Sequence, residues 1–323
     1  MRAAVCPTLG PPSVVEVRDV PAPAMEPDLV RVRVAAASVN FPDVLLVAGT
    51  YQIPVTPPFT PGSEFAGTVV EVGDAVDGVA VADRVSGTVL VGAFAEEVVV
   101  APSSLTPVPV GVDLTSAASF GVAFRTAYHV LRSVARVGAG EQAVVLGAGG
   151  GVGLAAVQLA AHLGASVTAV ASSEAKLTAA TAAGASGTIN HRSADLRTAL
   201  RELHPDGVDV VVDPVGGHLS EPALRVCRWG ARFVTVGFAS GEIPRIPLNL
   251  VLLKGVQVLG FQFVDFVTHA PDAFAQNEAE LSELFASGAV APHVGAVFDL
   301  HEAAAALQLV ADGQAVGKAV LIM

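Results

Sequence analysis

Five of the seven residues from 147 to 153 are glycine, in Val144-Val145-Leu146-Gly147-Ala148-Gly149-Gly150-Gly151-Val152-Gly153. A short apolar run leads into this turn and a helix-forming run leaves it. Gly150, Gly151 and Val152 let the backbone approach a pyrophosphate, whose charge suits the N–H groups and dipole at a helix start. Gly153 lets that helix lie close against the strand. Ala148 stands where the G-x-G-x-x-G pattern has its first glycine, and alanine still permits the turn. The chemistry implied is the binding of a dinucleotide.

The next apolar run decides which one. Sites for NAD carry an Asp or Glu about 20 residues further on, bonded to the ribose 2′-hydroxyl. Here the run ends Ala171-Ser172-Ser173-Glu174-Ala175-Lys176. Ser172 and Ser173 take the place of the acid, and Lys176 follows one helical turn later. A neutral pocket with a lysine suits a 2′-phosphate, which carries about −1.5 to −2 charges at neutral pH. Lysine is scarce, occurring only at 176, 254 and 318, so one at this position is not surface filler. Glu174 is the competing reading, because its carboxylate could bond the ribose instead. The balance predicts NADPH. Asp213 ends another apolar run and is followed by Pro214, which suits a turn role better than a catalytic one. Val215 then lines the cofactor, and Gly237, Phe238, Ala239 and Ser240 form either a tight turn or a wall beside the nicotinamide.

These positions need a frame. From about residue 120, strand-like runs alternate with helical ones. Strands are predicted at 144–146, 167–171, 188–190, 208–212, 232–236 and 256–261, with helices through His162 and at 174–182, 193–203 and 221–228. That alternation predicts an α/β doubly wound parallel sheet of six strands. The first hundred residues read instead as strands and turns, with Val30–Val34 alternating apolar and charged, then 68–73 and 96–100. Helical spacing at 277–286 and 302–311 and a closing strand at 319–322 take the tail back to the first domain. The predicted domains are 1–120 with 265–323, and 121–264.

Composition narrows the function. The 323 residues carry 30 acidic and 18 basic side chains, a net charge of −12. A nucleic-acid or anionic-membrane partner would want a basic surface, so neither is expected. No Asp, Glu, Lys or Arg lies between Glu141 and Glu174. Glycines break that stretch, so it reads as buried strand, turn and helix rather than a membrane span. Cys6 and Cys227 make neither a disulfide framework nor a four-cysteine zinc site, and they suit a reducing, cytoplasmic compartment.

The chain resembles the zinc-independent medium-chain dehydrogenases/reductases of the quinone oxidoreductase (ζ-crystallin-like) group. The resemblance rests on Ser38-Val39-Asn40-Phe41-Pro42-Asp43, Pro61 to Gly67, Gly121 to Tyr128, Ala148 to Gly153 and Val236 to Gly241. It implies a GroES-like β domain beside a Rossmann domain, and NADPH-dependent reduction of quinones or related enones. Asn40, Phe41 and Asp43 would flank the nicotinamide end. Thr126 and His129 would reach nicotinamide and phosphate, while Phe261 and Phe263 would line the same cofactor. Ser172, Ser173 and Lys176 would hold the adenosine phosphate. His191 falls where relatives carry a tyrosine near the adenosine ribose, and Gly313 where some carry a phosphate-binding arginine. The related alcohol dehydrogenases bind zinc with a cysteine and a histidine where this chain has Ser38-Val39-Asn40 and Gly62-Ser63-Glu64. Serine and asparagine are poor zinc ligands, so no metal is expected.

As hydride arrives, negative charge builds on a carbonyl oxygen, and Tyr51 and the Asn40 amide are the candidate donors to it. Two rival readings stand beside quinone reduction. One is an enoyl-thioester or alkenal double-bond reductase, against which the β domain shows no basic cluster for a CoA phosphate. The other is an NADPH-binding structural or sensing protein with little turnover. The predicted edge strand at 256–261 and the family resemblance together imply a homodimer.

Overall fold

A computed structural model describes all 323 residues. The chain forms two compact units, Met1–Val122 with Ala291–Met323, and Ala123–Val290.

In the first unit a seven-stranded sheet runs in the order Val294–Asp299, Lys318–Ile322, Val30–Val39, Glu64–Val72, Arg84–Thr88, Leu105–Pro107, with Glu97–Val100 also paired to Val30–Val39. The first pair is parallel and the other pairings are antiparallel. Alternation along Val30–Val39 sends Val30, Val32 and Val34 into a core with Phe65, Phe94, Leu307 and Leu321. The helix Phe41–Ala48 opens just after this strand, behind Asn40. Sequence periodicity missed it, because Pro42 and the apolar run Val44-Leu45-Leu46-Val47 mask a helical period.

In the second unit six parallel strands take the spatial order Gly187–Asn190, Ser166–Ala171, Gln142–Leu146, Val208–Asp213, Cys227–Thr235, Gln257–Gly260. This is the doubly wound sheet the alternation predicted. Strand order reverses on either side of Gln142–Leu146, and the carboxyl ends of strands at such a point form a ligand crevice. The helices Gly151–His162 and Glu174–Ala182 follow their strands as expected. Val144, Leu146, Val211 and Phe233 are all but fully buried in the sheet's core.

The expected return of the chain at residue 265 is corrected to Ala291. The helix Pro271–Ala286 stays with the second unit because its polar side chains are tied there. Asn277 and Glu278 bond His129, Glu278 bonds Arg125, and Glu280 bonds Tyr128. No helix is long and apolar enough to cross a membrane. Cys6 and Cys227 are both buried free thiols, and burial pushes Cys227 up to about 12. Both sit in hydrophobic cores as packing residues.

Candidate functional site

The glycine turn is shaped by contacts that exclude side chains. Gly147 has φ +61°, and a Cβ there would meet Val215 at 2.5 Å. A Cβ on Gly153 would fall 2.1 Å from the Gly147 carbonyl oxygen and 2.8 Å from the Ala148 Cα. Ala148 is fully buried and its N–H donates to the Val170 carbonyl at 3.0 Å, which ties the turn to the neighbouring strand. The helix begins at Gly151, and no side chain caps it at Gly150. The first N–H groups of a helix have no partner within it, so those around Gly151 and Val152 are available to an anion. This cradle fits a dinucleotide pyrophosphate.

Across the switch point, Asp213 fixes the facing turn. Its Oδ1 accepts from the N–H groups of Val215 (2.9 Å) and Gly216 (2.8 Å), and its Oδ2 accepts from the Ser220 hydroxyl (2.6 Å). All of its bonding is spent on the turn, the role the sequence favoured. Residues 237–240 follow alongside: Ala239 N–H donates to Pro214 O and Ser240 N–H to Val215 O, at 3.1 and 2.9 Å. Val215, Gly237, Phe238, Ala239 and Ser240 therefore share one rim with the glycine turn.

At the end of Ser166–Ala171 lie the residues chosen for the phosphate. Ser173 caps the helix Glu174–Ala182 without a side-chain bond. The Lys176 chain lies over Gly149, where a Cβ would meet it at 2.4 Å, and its Nζ donates to Ser172 Oγ at 3.4 Å. Burial chiefly, then the charge of Arg192, lowers the Lys176 ammonium from its ordinary value. The competing acid is engaged elsewhere, since Glu174 accepts from Asn190 Nδ2 at 2.9 Å. His191 faces His218 with ring centroids 6.0 Å apart. Burial first, then His218, Arg192 and Lys176, pushes the His191 imidazole below its usual range. Arg192 and His218 escaped the sequence reading. The only signal was position, because each follows the carboxyl end of a parallel strand by a few residues.

His129 requires a correction. It is fully buried, with Nε2 3.0 Å from Glu278 Oε1 and Nδ1 3.0 Å from Asn277 Nδ2. The rings of Phe266 and Phe274 lie 4.9 and 5.2 Å from it. Phe261 and Phe263 also pack on this imidazole, at 6.3 and 5.7 Å, and Arg125 covers Phe263. Both ring nitrogens are occupied and aromatic rings surround them, so His129 offers nothing to a phosphate. Phe261 and Phe263 belong to that packing too. Thr126, on the same helix, is half-buried.

The first unit gathers the remaining candidates into a buried polar cluster. Lys318 Nζ donates to Asn40 Oδ1 at 2.5 Å and lies 3.3 Å from Glu64 Oε2. Asn40 Nδ2 points to Glu64 Oε2 (3.2 Å), Ser38 O (3.3 Å) and Ser63 Oγ (3.4 Å). Glu64 Oε1 accepts from Val122 N–H at 2.9 Å. Lys318 and Glu64 are 5 % and 1 % exposed, so their charges balance in a nearly dry site. Asn40 is thereby corrected as a free donor, since both ends of its amide are already committed. Asp43 accepts from Asn40 N–H through Oδ2 at 2.7 Å, while its buried Oδ1 has no hydrogen-bond partner. Burial raises its carboxyl to about 7, against the opposing pull of Asn40 N–H, the Ser63 hydroxyl and the Lys318 charge. Phe41 and Tyr51 are half-buried in the same unit, and Tyr51 packs on the core. Burial, then the Asp43 charge, raises the Tyr51 phenol, so it is a neutral donor at physiological pH.

Comparison with known proteins agrees with this frame. Residues 26–110 match the alcohol dehydrogenase GroES-like domain, and residues 151–283 match the zinc-binding dehydrogenase family. Quinone oxidoreductase-like protein 2 of Bos taurus is 36% identical over 322 residues, covering 99% of this chain and 92% of that protein. The spectinabilin polyketide synthase system protein NorB of Streptomyces orinoci is 37% identical over 300 residues, 93% of this chain but 13% of that protein. The Escherichia coli quinone oxidoreductase solved with NADPH superposes with a TM-score of 0.91 at 26% identity, over 100% of both chains. Fold and site together define a medium-chain dehydrogenase/reductase, an oxidoreductase class. Within it, the chain belongs to the quinone oxidoreductase family.

The zinc that one matched family's name implies does not fit the residues here. No three His, Cys, Asp or Glu side chains cluster anywhere. Asn40 and Glu64 already hold the Lys318 ammonium group, which would repel a second cation.

Removing one partner of a buried ion pair strands the other charge. Lys318→Met is expected to lower unfolding free energy by about 3–5 kcal/mol in a urea titration, with much of it regained in Lys318→Met/Glu64→Gln. A single variant as stable as the parent would show that the pair holds nothing together. Asp43 gives a pH signature. An unfolded carboxyl titrates near 4 and the folded one near 7. Between those values the folded state holds the extra proton, so stability falls as pH rises, by at most about 1.4 kcal/mol per unit. Asp43→Asn should gain on the parent from pH 4 to 7 and hold a constant lead above; parallel stability–pH curves would refute the assignment.

Proposed function

We propose that this protein is an NADPH-dependent oxidoreductase that reduces quinones, or related electron-poor enones, without zinc. The observation that carries the cofactor choice is the cationic corner at the end of Ser166–Ala171. Lys176, Arg192 and His191 converge there, and the acid that would bond an unphosphorylated ribose is held by Asn190. The NADPH bound to the E. coli relative supports the same choice.

The glycine turn would hold the pyrophosphate through its N–H groups, and the Val215 and 237–240 rim would flank the nicotinamide. When bound, reduced nicotinamide supplies hydride to the substrate. Tyr51, kept neutral, donates a hydrogen bond to a substrate oxygen as charge builds there. Quinones are easily reduced, so water is a sufficient source of the final proton. The likeness to NorB favours one second reading, reduction of the double bond of an enoyl thioester. Tight NADPH binding without turnover is the outcome expected of a binding or sensing protein.

A homodimer is also proposed. The strand Gln257–Gly260 is an open sheet edge, and Trp229 (82 % exposed), Leu252 (81 %) and Leu253 (74 %) are apolar side chains exposed on the same unit. An open edge with apolar neighbours is stable when a second copy covers it. The two buried thiols suit a cytoplasmic setting.

NADPH oxidation measured in parallel with 1,4-benzoquinone, 9,10-phenanthrenequinone and crotonyl-CoA, each with and without EDTA, tests the reaction. Quinone turnover insensitive to the chelator is expected. Preference for crotonyl-CoA would replace quinone reduction with the second reading, and chelator-sensitive turnover would refute the zinc-free one. In the same assay Lys176→Ala should raise KM for NADPH roughly ten-fold or more, the worth of a charged hydrogen bond, and leave NADH almost unchanged; equal losses would remove the phosphate assignment. For assembly, sedimentation should show a dimer that Leu252→Asp converts to monomer, and a monomeric parent chain would end that proposal.

A further inference from the structure

The corner that would receive the 2′-phosphate contains two facing imidazole rings as well as fixed charges. His191 follows the strand Gly187–Asn190, and His218 lies in the turn after Val208–Asp213. Their ring centroids are 6.0 Å apart at an interplanar angle of 58°. The charged and titratable side chains that bear most on His191 are His218 from the turn after the fourth strand, Arg192 beside it, and Lys176 from the helix Glu174–Ala182. Glu174, from that same helix, spends its carboxylate on Asn190 Nδ2 at 2.9 Å, and Asn190 Oδ1 accepts from Arg192 N–H at 3.1 Å. A half-buried imidazole facing such neighbours sheds its proton, and this one lies below its ordinary range for those reasons.

We infer that this corner binds a ribose phosphomonoester together with a proton, His191 becoming imidazolium as the phosphate enters between it, Arg192 and Lys176. The inference rests on the NADPH reading and adds to it a stoichiometry and a sign. An empty corner repels a third positive charge. A phosphate dianion reverses the local field, so the charged imidazole becomes the favoured form and donates a charge-assisted hydrogen bond. The proton comes from solvent, no covalent bond changes, and NADH, which lacks the phosphate, draws none. Binding that takes up a proton weakens as pH rises, by up to ten-fold per unit between the free and bound pKa values. At pH 7 the phosphomonoester is already mostly dianionic, so its own titration contributes little.

Calorimetric titration of the protein with NADPH and with NADH, at pH 7 in PIPES and in Tris, reads the proton directly from the difference in apparent enthalpy. A substantial fraction of one proton is expected to be taken up per NADPH and none per NADH. NADPH affinity should fall between pH 6.5 and 8.5 while NADH affinity stays flat. His191→Gln keeps a polar side chain that cannot titrate. It should abolish the uptake and flatten the NADPH profile, with an unchanged thermal unfolding midpoint showing that the fold survives. NADPH binding more tightly than NADH but with no proton uptake, or uptake that persists in His191→Gln, overturns this inference and leaves the cofactor reading intact. Equal affinity for NADPH and NADH overturns both.

Discussion

A carbonyl oxygen stands where a side chain at residue 153 would begin. The Gly147 oxygen is 2.1 Å from the Cβ that residue 153 does not have, and the Ala148 Cα is 2.8 Å from it. Any other residue there would push the helix off the strand, because a backbone atom cannot step aside as a flexible side chain can. The closeness of strand and helix then sets the rest of the second unit. It aims the first N–H groups of the helix at the switch point, opposite the turn that Asp213 ties down. It also leaves Gly149 without a side chain, so that Lys176 can lie across the turn. The cofactor frame is therefore a consequence of one backbone contact, and the charged residues are added to it.

No lysine is spent on the open surface. Of three lysines, Lys176 lies over the glycine turn, Lys318 is buried against Glu64 and Asn40, and Lys254 donates to the Cys227 carbonyl at 2.7 Å. In a chain of net charge −12 this is placement rather than averaging. The two polar sites solve opposite problems. The first unit encloses a cation with its counter-charge and neutral amides, so the buried cluster is self-contained. The corner in the second unit brings Lys176 and Arg192 to bear on His191, an arrangement that gains from an anionic guest.

How far the sequence could be read follows from what each element depends on. The six parallel strands were legible because strands buried on both faces are continuous apolar runs, and glycines punctuate them. The glycine turn and the turn role of Asp213 were legible because local spacing determines them. Asn40 and His129 were misread for a different reason. Their type fits a functional role, but their partners lie far along the chain: Lys318 for one, Asn277 and Glu278 for the other. A polar residue whose hydrogen bonds are closed by distant residues looks the same in sequence as one facing a ligand. The return point at Ala291 was missed on the same ground, since the helix Pro271–Ala286 is held by those long-range bonds and not by its own periodicity.

His129 and His191 show how environment separates two histidines of one unit. Around His129 stand four phenylalanines, an amide and a carboxylate, and both ring nitrogens are paired. That ring works as a peg joining the helix Gly121–His129 to the helix Pro271–Ala286, and no ligand can improve its bonding. His191 is half-buried and faces His218, Arg192 and Lys176. Burial and those neighbours disfavour its charged form, and a nearby anion would favour it. A histidine whose ring bonds are closed by the fold holds that fold together, whereas one whose surroundings disfavour its charge stays open to a ligand's influence, although the buried one stands on the helix that the family pattern singled out.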